Sequence, residues 1–397
     1  MGLLTLNRLA ERLRACDLVV PSGTIVRAAG LTVESKGPPV GVGRLCRIRL
    51  ADGRTVPAEV VGFRGDRILL MPLGDIRGIG PGSLLIPTYK PRTVRVGPGV
   101  IGRVLDGLGN PIDCGPPIDC DAEMPLLADP PPPLERQRIT RPIATGIRSV
   151  DSCVTCGRGQ RVAVMSGSGV GKSKFIGMVA RNTSADVNVI ALVGERGREV
   201  RDFIEVDLGP EGLVRSIVVV ATSDTPALIR LSGAYTATAK YFRAQGADVM
   251  FLMDSITRFA MAQREVGLAI GEPPTTKGYP PSVYSLLPKL LERAGTARDG
   301  AITGFYAVLI EGDDMHDPIG DAVRSIADGH IALSRSMASR GEYPPVDVLD
   351  SVSRSMNEVT SAEHRELAAE IRQMLSTYRE AEDLINIGAY VAGSNPE

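Results

Sequence analysis

Ser166-Gly167-Ser168-Gly169-Val170-Gly171-Lys172-Ser173 follows the short apolar run 161–165 and opens a helix-forming stretch. Glycine at alternate positions lets successive backbone N–H groups turn toward one anion without Cβ clashes. The helix behind the loop adds partial positive charge at its N-terminus. A strand, a Gly-rich loop ending in Gly-Lys-Ser and a helix make up the P-loop arrangement of nucleotide-binding proteins. The segment Ser168, Gly169, Val170, Gly171, Lys172, Ser173 and Lys174 is therefore expected to hold a nucleotide's phosphates. Lys172 reaches the β and γ phosphates, and the Ser173 hydroxyl ligates Mg²⁺. The strict pattern begins with Gly, and this chain has Ser166 there. A residue that small still permits the turn.

The pattern around the loop supports that placement. Apolar runs recur at 161–165, 187–193, 216–221, 247–253 and 304–310, with helical stretches between them. One helix begins after Ser223-Asp224-Thr225-Pro226, where a cap precedes proline. Near-continuous apolar strands are buried on both faces, so the expected core is an α/β fold with a parallel sheet covered by helices. Parallel sheets bind ligands beyond the C-terminal ends of their strands. Two carboxylates fall there. Asp254 ends Val249-Met250-Phe251-Leu252-Met253, the Walker B position that holds Mg²⁺ directly or through water. Glu195, in Gly194-Glu195-Arg196-Gly197-Arg198-Glu199, would face the γ phosphate, where a carboxylate orients and polarises a water. Taken alone, the same segment reads as a solvated charged loop.

Before the core, the chain from Val19 to about Pro87 breaks into short β segments. Arg47–Leu50, Val60–Phe63 and Ile68–Met71 are separated by Asp-Gly and Gly-Asp turns, the pattern of a small barrel. Residues 88–145 are rich in Gly and Pro, including Pro130 to Pro133, and read as a stiff connector. Residues 3–14 read as a short amphipathic helix, with Leu3, Leu6, Leu9 and Leu13 on one face; it either caps the next domain or docks a partner. Beyond about 358 the chain turns helical. Thr360 and Glu363 suggest a capping box, and Leu367, Ile371, Leu375 and Tyr378 repeat on one face.

Composition narrows the function classes. With 397 residues, two or three domains are expected. A net charge of -1 excludes bulk attraction to nucleic acid, and with aromatics at 4% and no Trp, base-stacking platforms are not expected. No apolar run approaches the ~20 residues that span a bilayer, and Arg8, Glu11, Arg12 and Arg14 interrupt any signal-peptide core. A cytoplasmic protein is expected. The six cysteines do not suggest a disulfide framework. Cys153-Val154-Thr155-Cys156 and the looser Cys114/Cys120 pair differ in spacing, which favours incidental thiols over a zinc site. His316, His330 and His364 show no ligand spacing.

The ordered motifs SGSGVGKS, VGERGREVRDFIE, LMDSITRFAMAQREVGLAIGEPPTTKGYPPSV, EGDDMHDP, DGHIALSR and EYPPVDVLDSVSR, with GRVLDGLGNPID upstream at 102–113, resemble the flagellum-specific export ATPases. These are close relatives of the injectisome (type III secretion) ATPases and more distant ones of the rotary ATP synthase catalytic subunit. The resemblance covers nearly the whole chain. It implies a partner-docking helix at 1–18, a β-barrel at 19–88, a RecA-like core at 89–357 and a helical C-terminal domain at 358–397. Relatives continue past Glu397, so that last domain is expected to be incomplete. They also carry about two more residues between Thr238 and Tyr241.

The resemblance further implies a homohexamer that hydrolyses ATP with Mg²⁺ at subunit interfaces. Glu195 then corresponds to the catalytic carboxylate, with Arg196 and Glu199 near the phosphates and the metal's water shell. Arg354, in Asp350-Ser351-Val352-Ser353-Arg354, matches an arginine finger supplied by the neighbouring subunit. Tyr343, in Glu342-Tyr343-Pro344-Pro345, matches the aromatic that packs on adenine. The segment 260–283 is expected to look toward a central pore. Implied partners are a regulator at the N-terminal helix, a central stalk protein, the export gate at the inner membrane, and export substrates with their chaperones. No nucleic acid is expected. The alternatives are an injectisome ATPase, a rotary catalytic subunit, a hexameric RNA translocase and a nucleotide-binding scaffold without turnover. The rotary subunit calls for an acidic lever motif in a longer C-terminal domain, the translocase for an aromatic RNA-binding barrel, and the scaffold for loss of Glu195.

Overall fold

The structure, a computed structural model, describes residues 21–89, 92–126, 130–237, 240–310, 317–391 and 393. The expected helix at 3–14, His316 and residues 238–239 lie outside the described residues. The chain divides into two compact units, Met1–Arg92 and Thr93–Glu397.

In the first unit, strands β1 (Gly23–Ala29), β2 (Thr32–Lys36), β3 (Leu45–Arg49), β4 (Thr55–Arg64), β5 (Arg67–Pro72) and β6 (Leu84–Pro87) close a barrel in the order β1-β2-β5-β4-β3-β6. Alternation drives it. Along β3, Cys46 and Ile48 point in while Arg47 and Arg49 point out. Ile25, Val33, Val60, Leu70 and Leu85 complete the interior. Glu34 is buried, and a hydrogen bond from Arg67 (2.9 Å) holds its carboxyl below the usual range, with Arg64 at 3.2 Å helping.

The second unit is built on a sheet ordered β17-β16-β10-β15-β13-β11-β12-β8. Its strands are β8 (Val104–Asp106), β10 (Arg161–Ser166), β11 (Val187–Val193), β12 (Ser216–Ala221), β13 (Asp248–Asp254), β15 (Ala301–Leu309), β16 (Gly329–Leu333) and β17 (Val346–Ser353). Neighbours along this path pair in parallel except β16 and β17, which are antiparallel. A short β14 (Gly295–Thr296) pairs antiparallel with β15, while β7 (Thr93–Val96) and β9 (Ala122–Pro125) form a separate ribbon. All positions of β11 and β12 are buried. This double-sided burial makes their sequences apolar apart from Asn188 and Ser216, which bond to each other at 3.1 Å.

Helices α1 (Arg148–Cys153), α2 (Lys172–Asn182), α3 (Gly197–Asp202), α4 (Ala227–Ala237), α5 (Ile256–Ile270), α6 (Pro281–Leu291), α7 (Pro318–Ile326) and α8 (Ala362–Asn386) position the loops. α2 lies against β13, α4 against β11 and β12, and α8 against α1 and β17. At Gly177 a Cβ would sit 2.4 Å from the Asp207 carbonyl oxygen, so α2 approaches the π-helical turn Phe203–Leu208 backbone to backbone.

Several expectations change. The Gly/Pro-rich 88–145 is more than a connector: it contributes β7, β8 and β9, and β8 extends the main sheet. The cap of α8 is Ser361, whose hydroxyl accepts the His364 N–H, rather than Thr360; the Thr360 hydroxyl donates to the Met356 carbonyl at 2.6 Å. The expected apolar face of that helix, Leu367, Ile371, Leu375 and Tyr378, is exposed. Cys153 and Cys156 are buried thiols, and burial pushes Cys156 up to about 12.

Candidate active site

Parallel strands deliver all their following loops to one edge of the sheet. Here the loops after β10, β11 and β13 meet there. The turn after β10 uses left-handed backbone at Gly169 (φ 77°) and Gly171 (φ 107°), which an L side chain would strain. Gly171 starts α2 with no side-chain cap. The N–H groups of Lys172, Ser173 and Lys174 are therefore the helix's orphan donors, free to receive an anion.

The sheet brings Lys172, Glu195 and Asp254 together. The Lys172 ammonium lies 2.5 Å from Asp254 Oδ1 and 3.7 Å from Glu195 Oε1, and all three side chains are largely buried. Burial, reinforced by the Asp254 charge, pushes the Glu195 carboxyl up to about 8 against the lowering effect of Lys172. Glu195 shares a hydrogen bond with Glu199, which is held below the usual glutamate range by that bond. The proton thus rests on Glu195 while Glu199 carries the charge. Glu195 Oε1 itself has no hydrogen-bond partner among the described residues.

The remaining predicted residues divide. Arg196 is mostly exposed; its N–H donates to Glu199 Oε2 at 3.2 Å, closing the start of α3. Ser173 is half-buried at the first turn of α2, and Lys174 points to solvent. Tyr343 is 60% exposed yet lies against the loop: a Cβ on Gly171 would be 3.6 Å from its ring. An aromatic face beside the phosphate loop is where a purine ring can stack. Arg354 is not brought to this cluster. Ser353 pairs with Gly329 in the ladder, whereas Ser166 pairs with Leu333. The stretch Gly329–Leu333 separates the two levels by about 13 Å. Arg354 therefore stands at the opposite edge of the sheet. Its side chain is exposed and makes no hydrogen bond or ion pair among the described residues.

Arg258 was not singled out by the sequence. Its guanidinium donates to the Gly194 carbonyl at 3.1 Å and its charge acts on both Glu195 and Glu199. Its position one helical turn beyond Asp254, on the same strand-to-helix junction, is the signal that could have found it.

A carboxyl near neutrality, a lysine and an uncapped helix start suit a group that binds a polyphosphate and moves a proton from water. Comparison with known proteins agrees. The sequence pattern of the ATP synthase alpha/beta family, nucleotide-binding domain, matches residues 146–353. That family's beta-barrel domain matches 25–88, and the T3SS EscN ATPase C-terminal domain matches 360–397. The chain is 54% identical to the flagellum-specific ATP synthase of Bacillus subtilis, over 94% of this chain and 86% of that one. The assembled ATPase EscN of the enteropathogenic E. coli type III secretion system superposes with a TM-score of 0.89 at 44% identity, covering 94% of this chain and 90% of that one. EscN in complex with its central stalk EscO gives 0.86 at 43%, covering 94% and 91%. The chain thus belongs to the ATP synthase alpha/beta family, in its branch of flagellum-specific and type III secretion ATPases.

Proposed function

We propose that this protein hydrolyses Mg²⁺-bound ATP as a homohexamer to energise flagellar protein export. The observation that carries the oligomeric part is the division of the catalytic set. Lys172, Glu195 and Asp254 face one edge of the sheet, and Arg354 faces the other. A chain cannot fold its own Arg354 onto its own phosphates without breaking the β16–β17 ladder. A neighbouring copy can supply it. Hard oxygen donors, the Ser173 hydroxyl and the Asp254 carboxylate, fit Mg²⁺, and the orphaned Glu195 Oε1 leaves a spare acceptor beside them. Bound there, the ion would neutralise charge on the phosphate oxygens.

The chain's own residues do the rest. In the absence of nucleotide, Lys172 is ion-paired with Asp254; a triphosphate in the loop draws the ammonium onto its β and γ oxygens. Glu195 must lose its proton before it can accept one from water. An incoming cation lowers a carboxyl's pKa, so the neighbour's Arg354 both stabilises the transition state and readies Glu195. Assembly then switches on the base. Among the described residues no helix is long and apolar enough to cross a membrane. We place the protein in the cytoplasm, peripheral to the inner membrane at the export apparatus. Its proposed contacts there are a regulator, a stalk like EscO, the export gate, and cargo with chaperones. Specific ATPase activity measured against protein concentration tests the reading. A steep rise is expected, and constant activity down to concentrations where the protein is monomeric would refute the shared site.

A further inference from the structure

Arg354 leaves the sheet with no side-chain partner of its own among the described residues, so its aim depends on how firmly its backbone is held. Besides the ladder, one buried amide ties that backbone down. Gln160, wholly buried just before β10, bonds through both its amide nitrogen and its amide oxygen, and the nitrogen reaches the end of β17. Its Nε2 donates to the Asp328 carbonyl at 2.9 Å and to Ser353 Oγ at 3.1 Å, and its Oε1 accepts the Gly157 N–H at 2.8 Å. The same Asp328 carbonyl accepts the Arg354 N–H at 3.0 Å. Ser353, immediately before Arg354, donates its hydroxyl to the Thr155 carbonyl at 2.7 Å. Asp328 is fixed in turn, its carboxylate accepting from the Arg161 N–H at 3.0 Å and from the Arg161 guanidinium at 2.9 and 3.0 Å.

The packing leaves no slack. A Cβ on Gly329 would lie 2.4 Å from the Val352 carbonyl oxygen and 3.2 Å from Gln160 Nε2. A buried amide is costly unless every group finds a partner; when all do, the network rigidifies what it joins. Here it joins the start of β10, the turn into β16 and the residue pair Ser353-Arg354. β10 is also the strand that leads into the phosphate loop.

We propose that Gln160 is the positioning residue of Arg354: it fixes the backbone from which that arginine reaches the next subunit's nucleotide. It touches neither substrate nor guanidinium and acts through Asp328 and Ser353. The proposal rests on the trans role of Arg354 given above.

The test is Gln160→Met, which keeps length and volume and deletes all three bonds. Displacing a catalytic group by about 1 Å costs up to about a hundredfold in rate. Assembled Gln160→Met is expected to lose turnover on that order while binding a fluorescent ATP analogue with wild-type affinity. Mixing supplies the readout that a merely structural role would not move. Gln160→Met subunits have sound phosphate loops, and Lys172→Ala subunits have sound arginines. Neither turns over well alone, and a mixture should recover activity. Arg354→Ala mixed with Lys172→Ala is the control. If that control fails to recover, the trans reading falls. If the control recovers but the Gln160→Met mixture does not, or if Gln160→Met alone turns over at the wild-type rate, the positioning role falls. Should Gln160→Met not fold, Ser353→Ala removes one anchor of the same network. It is expected to show a smaller loss with the same recovery on mixing, and wild-type turnover in Ser353→Ala would overturn the proposal.

Discussion

Glu195→Gln separates the stability of the site from its chemistry. The glutamate carboxyl rises from an ordinary value of 4.5 to about 8 because it is buried beside Asp254. A folded-state value above the unfolded one means that the native protein holds a proton the unfolded chain has lost. The associated stability is present in full below 4.5 and disappears as pH climbs through about 8. At about 1.36 kcal/mol per pH unit, an interval of about 3.5 units amounts to a loss of about 5 kcal/mol, of which about 3 kcal/mol is gone by pH 7. Glu199 runs the other way. Its carboxyl is lowered, so it stabilises the fold above its ordinary value, alike in both proteins. Relaxation around the ionised carboxyl reduces the figure for Glu195 itself, to a difference of about 1–3 kcal/mol. Glutamine cannot ionise, yet its amide still donates to Glu199 as the protonated carboxyl does. Without nucleotide, Glu195→Gln should match the wild type near pH 5 and melt roughly 2–6 °C higher near pH 8.5, while hydrolysing no ATP. Thermal melts of both proteins across that range decide the matter. Parallel melting curves with no pH-dependent gap would refute the claim that this carboxyl is neutral in the resting site.

Lys172→Ala should abolish turnover and widen the same pH-dependent loss, because Lys172 is the main charge opposing the rise at Glu195; melts and phosphate release check both. Arg354→Ala should bind a fluorescent ATP analogue normally and lose about a thousandfold in assembled turnover; full activity would place the finger elsewhere. Tyr343→Ala should raise KM for ATP about tenfold, the loss of about 1–2 kcal/mol of stacking, with kcat little changed; an unaltered KM would remove it from the purine site. Ser361→Ala should destabilise the second unit by about 1 kcal/mol in urea titrations, whereas Thr360→Ala should cost less, since only Ser361 caps α8.

What was legible in the sequence follows from how local each constraint is. The loop at 166–173 could be read directly because its positive-φ turns admit little but glycine. Strands β11, β12 and β13 were equally plain, since burial on both faces leaves only Asn188, Ser216 and the terminal Asp248 and Asp254 to interrupt the apolar runs. β8 was hidden because three residues among Gly and Pro carry too little pattern, and β17 because it alternates irregularly between buried and exposed. The helical period of α8 was right, but period alone does not say whether anything covers the face. The cap slipped by one residue because Thr360 finds a competing partner in the Met356 carbonyl. Arg258 and Gln160 act on carbonyls 64 and 168 residues away, and no local pattern records such a contact.

The polarity of one strand accounts for the separation of Arg354 from Lys172, Glu195 and Asp254. Every strand from β10 to β12 runs toward the edge that collects Lys172, Glu195 and Asp254, so each can serve only that edge. β17 returns, paired antiparallel with β16. Its start follows Tyr343, beside Gly171, and its end delivers Arg354 to the far edge. Val346 pairs with Leu333 and Ser353 with Gly329, so its ends stand about 13 Å apart, and β17 bulges between the two paired stretches. On the proposed function, the ring beside the phosphate loop and the guanidinium meant for the neighbouring subunit thus lie at opposite ends of one strand. The bulge can absorb a shift of the loop around Tyr343, so the aim of Arg354 is set at its own end of β17, where Gln160 bonds the Ser353 hydroxyl.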